Sequence, residues 1–239
     1  MKRTVLTVIL AAGFVAFSQK PPTSSYIDVD GNKRSFLSKE EVSIDDYCFF
    51  LYMTGQKYGK DSKQYEFLIP DTAKFRLWYG FPFSFFYGSS YETVKLQETL
   101  PMVAISYEQA AAYCQWVEFM LNQYPKHKYT WQCNLPEKAD YEKALHSKKT
   151  KITQKESLSP LQIKCNEFCR KTKDGTECIT NCRDGNYLFG ITDNVAEYTQ
   201  DGVVIEGGKN TMLKFTDAKN SENPIGFRIK ATVVPKNKN

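Results

Sequence analysis

Histidine is nearly missing from this chain: His127 and His146 are the only two in 239 residues. They share no metal-like spacing, so a histidine-rich zinc site is excluded. There is no G-x-S-x-G, which leaves a serine hydrolase unsupported. No glycine-rich loop is built to cradle phosphate. Acidic residues number 27, but no two stand out as a glycosidase dyad. Beyond the first 20 residues no run is apolar enough to span a bilayer. Charge of one sign is not concentrated either. The formal net charge is +5, and Lys148-Lys149-Thr150-Lys151 and Lys236-Asn237-Lys238 read as a solvated loop and terminus. A nucleic-acid-binding stripe is therefore not expected. Residues 183–239 contain no cysteine.

What is present begins with a leader. Lys2 and Arg3 precede an apolar run of about 14 residues, Thr4 to Phe17. Ala16 and Ser18 place small residues where a signal peptidase needs them. Residues 1–18 are read as a signal peptide, with an uncleaved anchor as the alternative. No cysteine follows the apolar run, so no bacterial lipid anchor is expected. The expected location is periplasmic or secreted, a compartment that permits disulfides. Loss of Lys2 and Arg3 would lower the charge from +5 to +3. Hydrophobic residues make up 41% and aromatics 14%, enough to build a core in one large domain or two small ones. Residues 19–38, with Pro21-Pro22 and Asp30-Gly31-Asn32, read as a linker and turn. A domain is expected over 39–234, with a cysteine-rich insert at about 147–187 and a tail at 235–239.

Within that domain three helices are expected. The first starts at Ser43, a capping residue, with Asp45 and Asp46 at the positive helix end and Gly55 as the stop. Tyr47, Phe50, Leu51 and Thr54 would form its buried face. A second starts at the capping box Ser106-Tyr-Glu-Gln109 and runs to about Asn122. Its apolar stripe is Tyr107, Ala110, Cys114, Val117 and Leu121, so Cys114 reads as a buried small hydrophobe. The third follows Leu135-Pro136 and ends near His146. Residues 65–91 carry the densest aromatics. They read as an irregular segment on the core, or as an exposed binding surface around Trp78 and Tyr79. Short strands are expected at Val203-Val204-Ile205 and within 226–234. The fold class is therefore an irregular α+β domain.

Four of the seven cysteines crowd into residues 165–182. Asp174-Gly175 is a turn signal between them. Two short helical or looped arms folding back would pair Cys165 with Cys182 and Cys169 with Cys178. Crossed pairing and a zinc site of four thiolates are the alternatives. Of Cys48, Cys114 and Cys133, two could pair.

Five stretches then follow one another in a familiar order. Glu41-Val-Ser-Ile-Asp-Asp-Tyr47 resembles "EVTNxxYxxF", and Pro101 through Trp116 resembles "PVxxVSWxxAxAYCxW". Leu135-Pro-Glu-Lys-Ala-Asp-Tyr-Glu-Lys-Ala144 resembles "RLPTEAEWEYA", and Asp193-Asn-Val-Ala-Glu-Tyr-Thr-Gln-Asp201 resembles "GNVWEWTSD". Ile205 through Gly208 and Gly226-Phe-Arg228 resemble "RGGS" and "GFR". These are the motifs of the formylglycine-generating enzymes, the sulfatase-modifying-factor family. Within it the pattern is most similar to the gliding-motility and type IX secretion lipoproteins of the GldK/PorK and GldJ kind.

The resemblance implies a C-type-lectin-like fold with little regular secondary structure. It implies a bacterial envelope protein whose partners are envelope proteins, including type IX secretion or gliding machinery. The enzymes of the family oxidise a substrate cysteine with a copper-binding cysteine pair just before the "GFR" end, because soft thiolates suit Cu(I). Thr211 to Pro224 holds no cysteine, and Glu206 and Lys209 replace the arginine and serine of "RGGS". No catalytic residue is therefore assigned, and the expectation is a non-catalytic structural or interaction protein. The alternatives are a glycan- or peptide-binding module and another enzyme on the same fold. The resemblance also implies a calcium site at Asp193, the Val195 carbonyl and Glu197. The bland alternative is that Asn194 and Glu197 hydrogen-bond a tight turn.

Overall fold

The computed structural model describes residues 25–80, 82–84, 100–123, 129–146, 151–153, 168–172, 175–179, 187–189, 195–207, 213–221 and 223–235. Strands β1 (Tyr26–Asp28) and β2 (Ser35–Ser38) open the described chain. Helices α1 (Ile44–Tyr58), α2 (Lys63–Leu68), α3 (Thr72–Tyr79) and α4 (Tyr107–Asn122) follow. Then come β3 (Tyr129–Asn134) and α5 (Lys138–His146). Four short strands succeed them: β4 (Lys151–Thr153), β5 (Phe168–Thr172), β6 (Gly175–Ile179) and β7 (Tyr187–Phe189). The last are β8 (Ala196–Tyr198), β9 (Val203–Gly207), β10 (Leu213–Asp217), β11 (Ile225–Gly226) and β12 (Lys230–Pro235). Helices and strands mix as an α+β chain should.

Two four-stranded sheets organise the fold. The first has the order β1-β2-β12-β3 and is antiparallel throughout. The second has the order β10-β9-β8-β11, with β11 parallel to β8. The first sheet corrects the expectation of a linker over 19–38. From Tyr26 the chain is a hairpin whose Ile27 and Leu37 are 1% and 0% exposed. The turn signal Asp30-Gly31-Asn32 is the hairpin's bend, with Gly31 and Lys33 at positive φ. The strands were hidden because only three or four residues each alternate, too few for a period to register. At the other end β12 runs through Pro235, so the expected tail begins one residue later.

The helices follow local chemistry closely. Ser43 caps α1 in a reciprocal box with Asp46, and Ser106 caps α4 in the same way with Gln109. Tyr47, Phe50, Leu51 and Thr54 are the buried face of α1, as their spacing indicates. Gly55 does not stop that helix, which continues to a C-cap at Gly59 with φ +88°. A Cβ on Gly55 would stand 3.1 Å from the Tyr65 ring, so this glycine permits α2 to lie close against α1. Residues 65–79 are not irregular either. Ser62 and Asp71 cap two short helices, and Gly80 ends the second in the left-handed conformation. A six-residue and an eight-residue helix are too brief to show a 3.6-residue pattern.

Aromatic rings fill the space between α1, α4 and the chain after β11. Tyr47 stacks on Tyr113 at 6.0 Å between centroids. Phe50 and Phe227 each meet Tyr113 edge-on at 5.4 Å. Each such ring contributes roughly 1.5–3 kcal/mol by leaving water. Side chains of α4 also close the free edge of β3. Asn122 bonds both the N–H and the C=O of Trp131, and Glu118 accepts from the Cys133 N–H at 2.9 Å. An edge strand occupied in this way offers no ladder to another chain.

Within the expected cysteine-rich insert, β4 pairs in parallel with β7, and β5 with β6 in an antiparallel hairpin. The expected helical or looped arms are thus strands over the described residues.

Gly226 sits where two backbones nearly touch. A Cβ there would meet Val195 Cγ2 at 2.8 Å and the Met102 carbonyl oxygen at 3.0 Å. Gly226→Ala should lower the unfolding free energy by about 2 kcal/mol in urea titration, because neither neighbour is free to retreat.

Candidate functional site

The motif-bearing segments converge on one buried ion pair. Helix α5 begins where Asp140 accepts from the Glu137 N–H at 2.8 Å and Asp201 accepts from the Lys138 N–H at 2.9 Å. Lys230 of β12 reaches Asp140 at 2.9 Å and ties the helix to the first sheet. The next residue of α5, Tyr141, is fully buried. Strand β8 points Glu197 inward, and the chain between β11 and β12 carries Arg228.

Arg228 donates from Nε to Glu197 Oε2 at 2.6 Å and from Nη2 to Oε1 at 2.5 Å. Its Nη1 donates to the carbonyls of Ser38 and Lys39, each at 3.1 Å. The Tyr141 hydroxyl donates to Glu197 Oε2 at 2.7 Å. Exposure is 0% for Arg228 and 2% for Glu197. Burial works against the Arg228 charge, but the Glu197 carboxylate and its hydrogen bonds outweigh burial and hold the guanidinium protonated. Burial, then the adjacent Glu197, pushes the Tyr141 phenol up, so it stays a donor. Such a pair is tolerated in the interior only because its donors and acceptors are satisfied.

A calcium ion at Glu197 would compete with this geometry. Both carboxylate oxygens are committed, and a guanidinium occupies the place a cation would take. Calcium would have to displace a like charge from a closed site. Val195 is buried against Gly226. Asp193 and Asn194 lie outside the described residues. Among the described residues no three His, Cys, Asp or Glu side chains group as a metal site.

The other expected site residues separate. Tyr79 gives its hydroxyl to the Pro101 carbonyl and packs its ring on Phe75 at 4.8 Å. Trp78 is half-buried against the same core, so neither ring stands free as a stacking platform. Cys165 and Cys182 lie outside the described residues, while the backbone sets Cys169 directly opposite Cys178. Glu206, at the arginine position of "RGGS", is buried, with 6% exposed. It accepts from Ser221 Oγ at 2.5 Å and pairs with Lys214 at 3.4 Å. Lys209 lies outside the described residues.

Arg228, Tyr141 and Asp140 had no assigned role in the sequence. Arg228 was visible as the last letter of "GFR", and a lone arginine in an apolar stretch was the one available signal. Cys114 and Cys133 are buried and unbridged. Burial, then neighbouring Cys133, pushes the Cys114 thiol well up; burial, then Glu118, does the same to Cys133.

Two outcomes follow. Glu197→Gln should cost about 3–5 kcal/mol by leaving Arg228 buried without its counter-charge, whereas Tyr141→Phe should cost about 1–2 kcal/mol, both read from urea unfolding. Cys114 and Cys133 should resist iodoacetamide at pH 8 in the folded protein and react promptly in urea. Their thiols bind protons more tightly when folded, so their contribution to stability is intact below the unfolded thiol pKa of about 8.5 and declines as pH rises above it.

A search of curated proteins finds no match to the chain. The profile of the family described as "Sulfatase-modifying factor enzyme 1-like domain" matches residues 3–212. That span takes in α1, the capped α4, α5 and the strand bearing Glu197. With helices and short open sheets set around the buried pair, the chain belongs to the sulfatase-modifying factor family, whose domain is a C-type-lectin-like α+β fold.

Proposed function

We propose that this chain is a non-catalytic member of its family, acting as a structural or interaction subunit in a bacterial envelope. One observation carries the reading: residues 183–239 contain no cysteine, so the segment where the family's enzymes keep their copper-binding pair has no thiolate to offer. The two buried thiols, Cys114 and Cys133, supply no substitute. They lie in the core, 1% exposed each, with thiol pKa values driven upward. The motif charges Arg228 and Glu197 are likewise turned inward, where they satisfy one another.

An interaction role gains support from the surface of α1 and α4. Tyr52, Tyr58 and Phe119 are about half exposed, and Lys57 lies over the Tyr58 and Phe119 rings at 4.8 and 5.3 Å. Aromatic side chains are enriched at protein interfaces. The motif pattern supports type IX secretion or gliding assemblies as the class of partner, and the apolar run Thr4 to Phe17 supports export as the route. The binding-module alternative loses ground, since Trp78 and Tyr79 pack on the core.

Purified protein supplied with copper, oxygen, a reductant and a sulfatase-type cysteine peptide should yield no formylglycine by mass spectrometry. Turnover of that peptide would overturn the non-catalytic reading. Fractionation of the native host should place the chain in the envelope; recovery in the cytoplasm would overturn the envelope role.

A further inference from the structure

We infer that Cys169 and Cys178 are joined by a disulfide across the β5–β6 hairpin, and that this bridge sets the ribbon's register. The strands pair Phe168 with Ile179, Cys169 with Cys178, Arg170 with Glu177, Lys171 with Thr176 and Thr172 with Gly175. Two residues separate Thr172 from Gly175. In a hairpin with a two-residue loop, the pair beside the loop exchanges both backbone hydrogen bonds, and pair types alternate from there. Cys169 and Cys178 therefore form a non-hydrogen-bonded pair. Opposed Cα atoms at such a position stand about 4.5 Å apart, within the span a disulfide needs.

The ribbon needs such a tie. Among the described residues it has no third strand, and an isolated two-stranded ribbon is marginal in water. Its strands, FCRKT and GTECI, lack the apolar alternation that locks a register through a buried face. The register sets Arg170 opposite Glu177, and opposite charges at facing positions are worth only a modest amount. A covalent link across the inner pair removes slipped registers outright.

The chemistry balances through thiol–disulfide exchange. One thiolate attacks an incoming protein or small-molecule disulfide, and the second then attacks the mixed disulfide. The two cysteines lose two electrons and two protons, and the incoming disulfide leaves as two thiols. Persistence of the bridge in the cell rests on the export reading, since a reducing compartment would open it. Its capacity to form does not.

The test uses the full chain, reduced and then equilibrated with glutathione disulfide. Remaining thiols are alkylated in acid-quenched denaturant. The protein is digested with trypsin and glutamyl endopeptidase, and linked peptides are fragmented. The expected link joins Cys169 to Cys178, and it should persist in a Cys165→Ser/Cys182→Ser variant. Amides over 168–179 should exchange on the order of tenfold more slowly than in the reduced protein, with β9 and β10 unchanged. Cys169 found alkylated, linked to Cys182, or held with the other three thiolates by zinc would overturn the assignment. Because oxidation is done in vitro, a cytoplasmic location for the protein would leave this result standing.

Discussion

Arg228 and Glu197 hold one another in a place water does not reach, and the rest of the domain is arranged so that they can. The guanidinium is fully buried and spends four donor contacts on Glu197 and on the carbonyls of Ser38 and Lys39. Tyr141 adds a fifth hydrogen bond from α5. Four segments far apart in sequence are thereby required to meet: the end of β2, α5, β8 and the chain leading into β12. Removing a charge from water costs several kcal/mol per ion, so half of this cluster is worse than none. That asymmetry makes the pair a constraint on assembly as well as a contact.

Two layers of apolar packing surround it. Tyr47, Phe50, Tyr113 and Phe227 interlock between the long helices, and a smaller cluster around Ile27, Leu37, Tyr141, Ala144 and Ile205 joins the first hairpin to α5 and β9. Polar side chains finish what the apolar ones begin. Gln109 caps its own helix and also donates to the carbonyls of Phe67 and Ile69, fixing α2 to the start of α4. Asn122 and Glu118 seal the edge of β3. In each case a side chain answers a backbone group that regular structure leaves open, which is how a fold with short strands keeps its buried polar groups satisfied.

The functional reading rests on where thiols are absent as well as on where they lie. Cysteine in the core of this chain is a small hydrophobe with a suppressed thiolate. Cys169 and Cys178 stand opposite one another in a two-stranded ribbon. The family's chemistry needs ionisable sulfur near the end of the domain, and the sequence places no cysteine after Cys182; the non-catalytic proposal rests on that. Glu206 is paired with Ser221 and Lys214.

By itself the sequence determined the elements whose signals are local. The capping boxes at Ser43 and Ser106, the stripe through Ala110, Cys114 and Val117, the family motifs and the missing cysteine pair could all be read without coordinates. Capping is settled within four residues and a long helix repeats its pattern several times, so neither needs distant partners to be legible. Only the tertiary structure decided the rest. It turned residues 26–38 from linker into two strands, because a three-residue strand exists only against its neighbour. It moved the helix stop from Gly55 to Gly59, because Gly55 answers to the Tyr65 ring rather than to its own helix. It set Glu197 against Arg228, 31 residues away, as its counter-charge. Burial and long-range pairing depend on which segments meet, and no periodicity in the chain encodes that meeting.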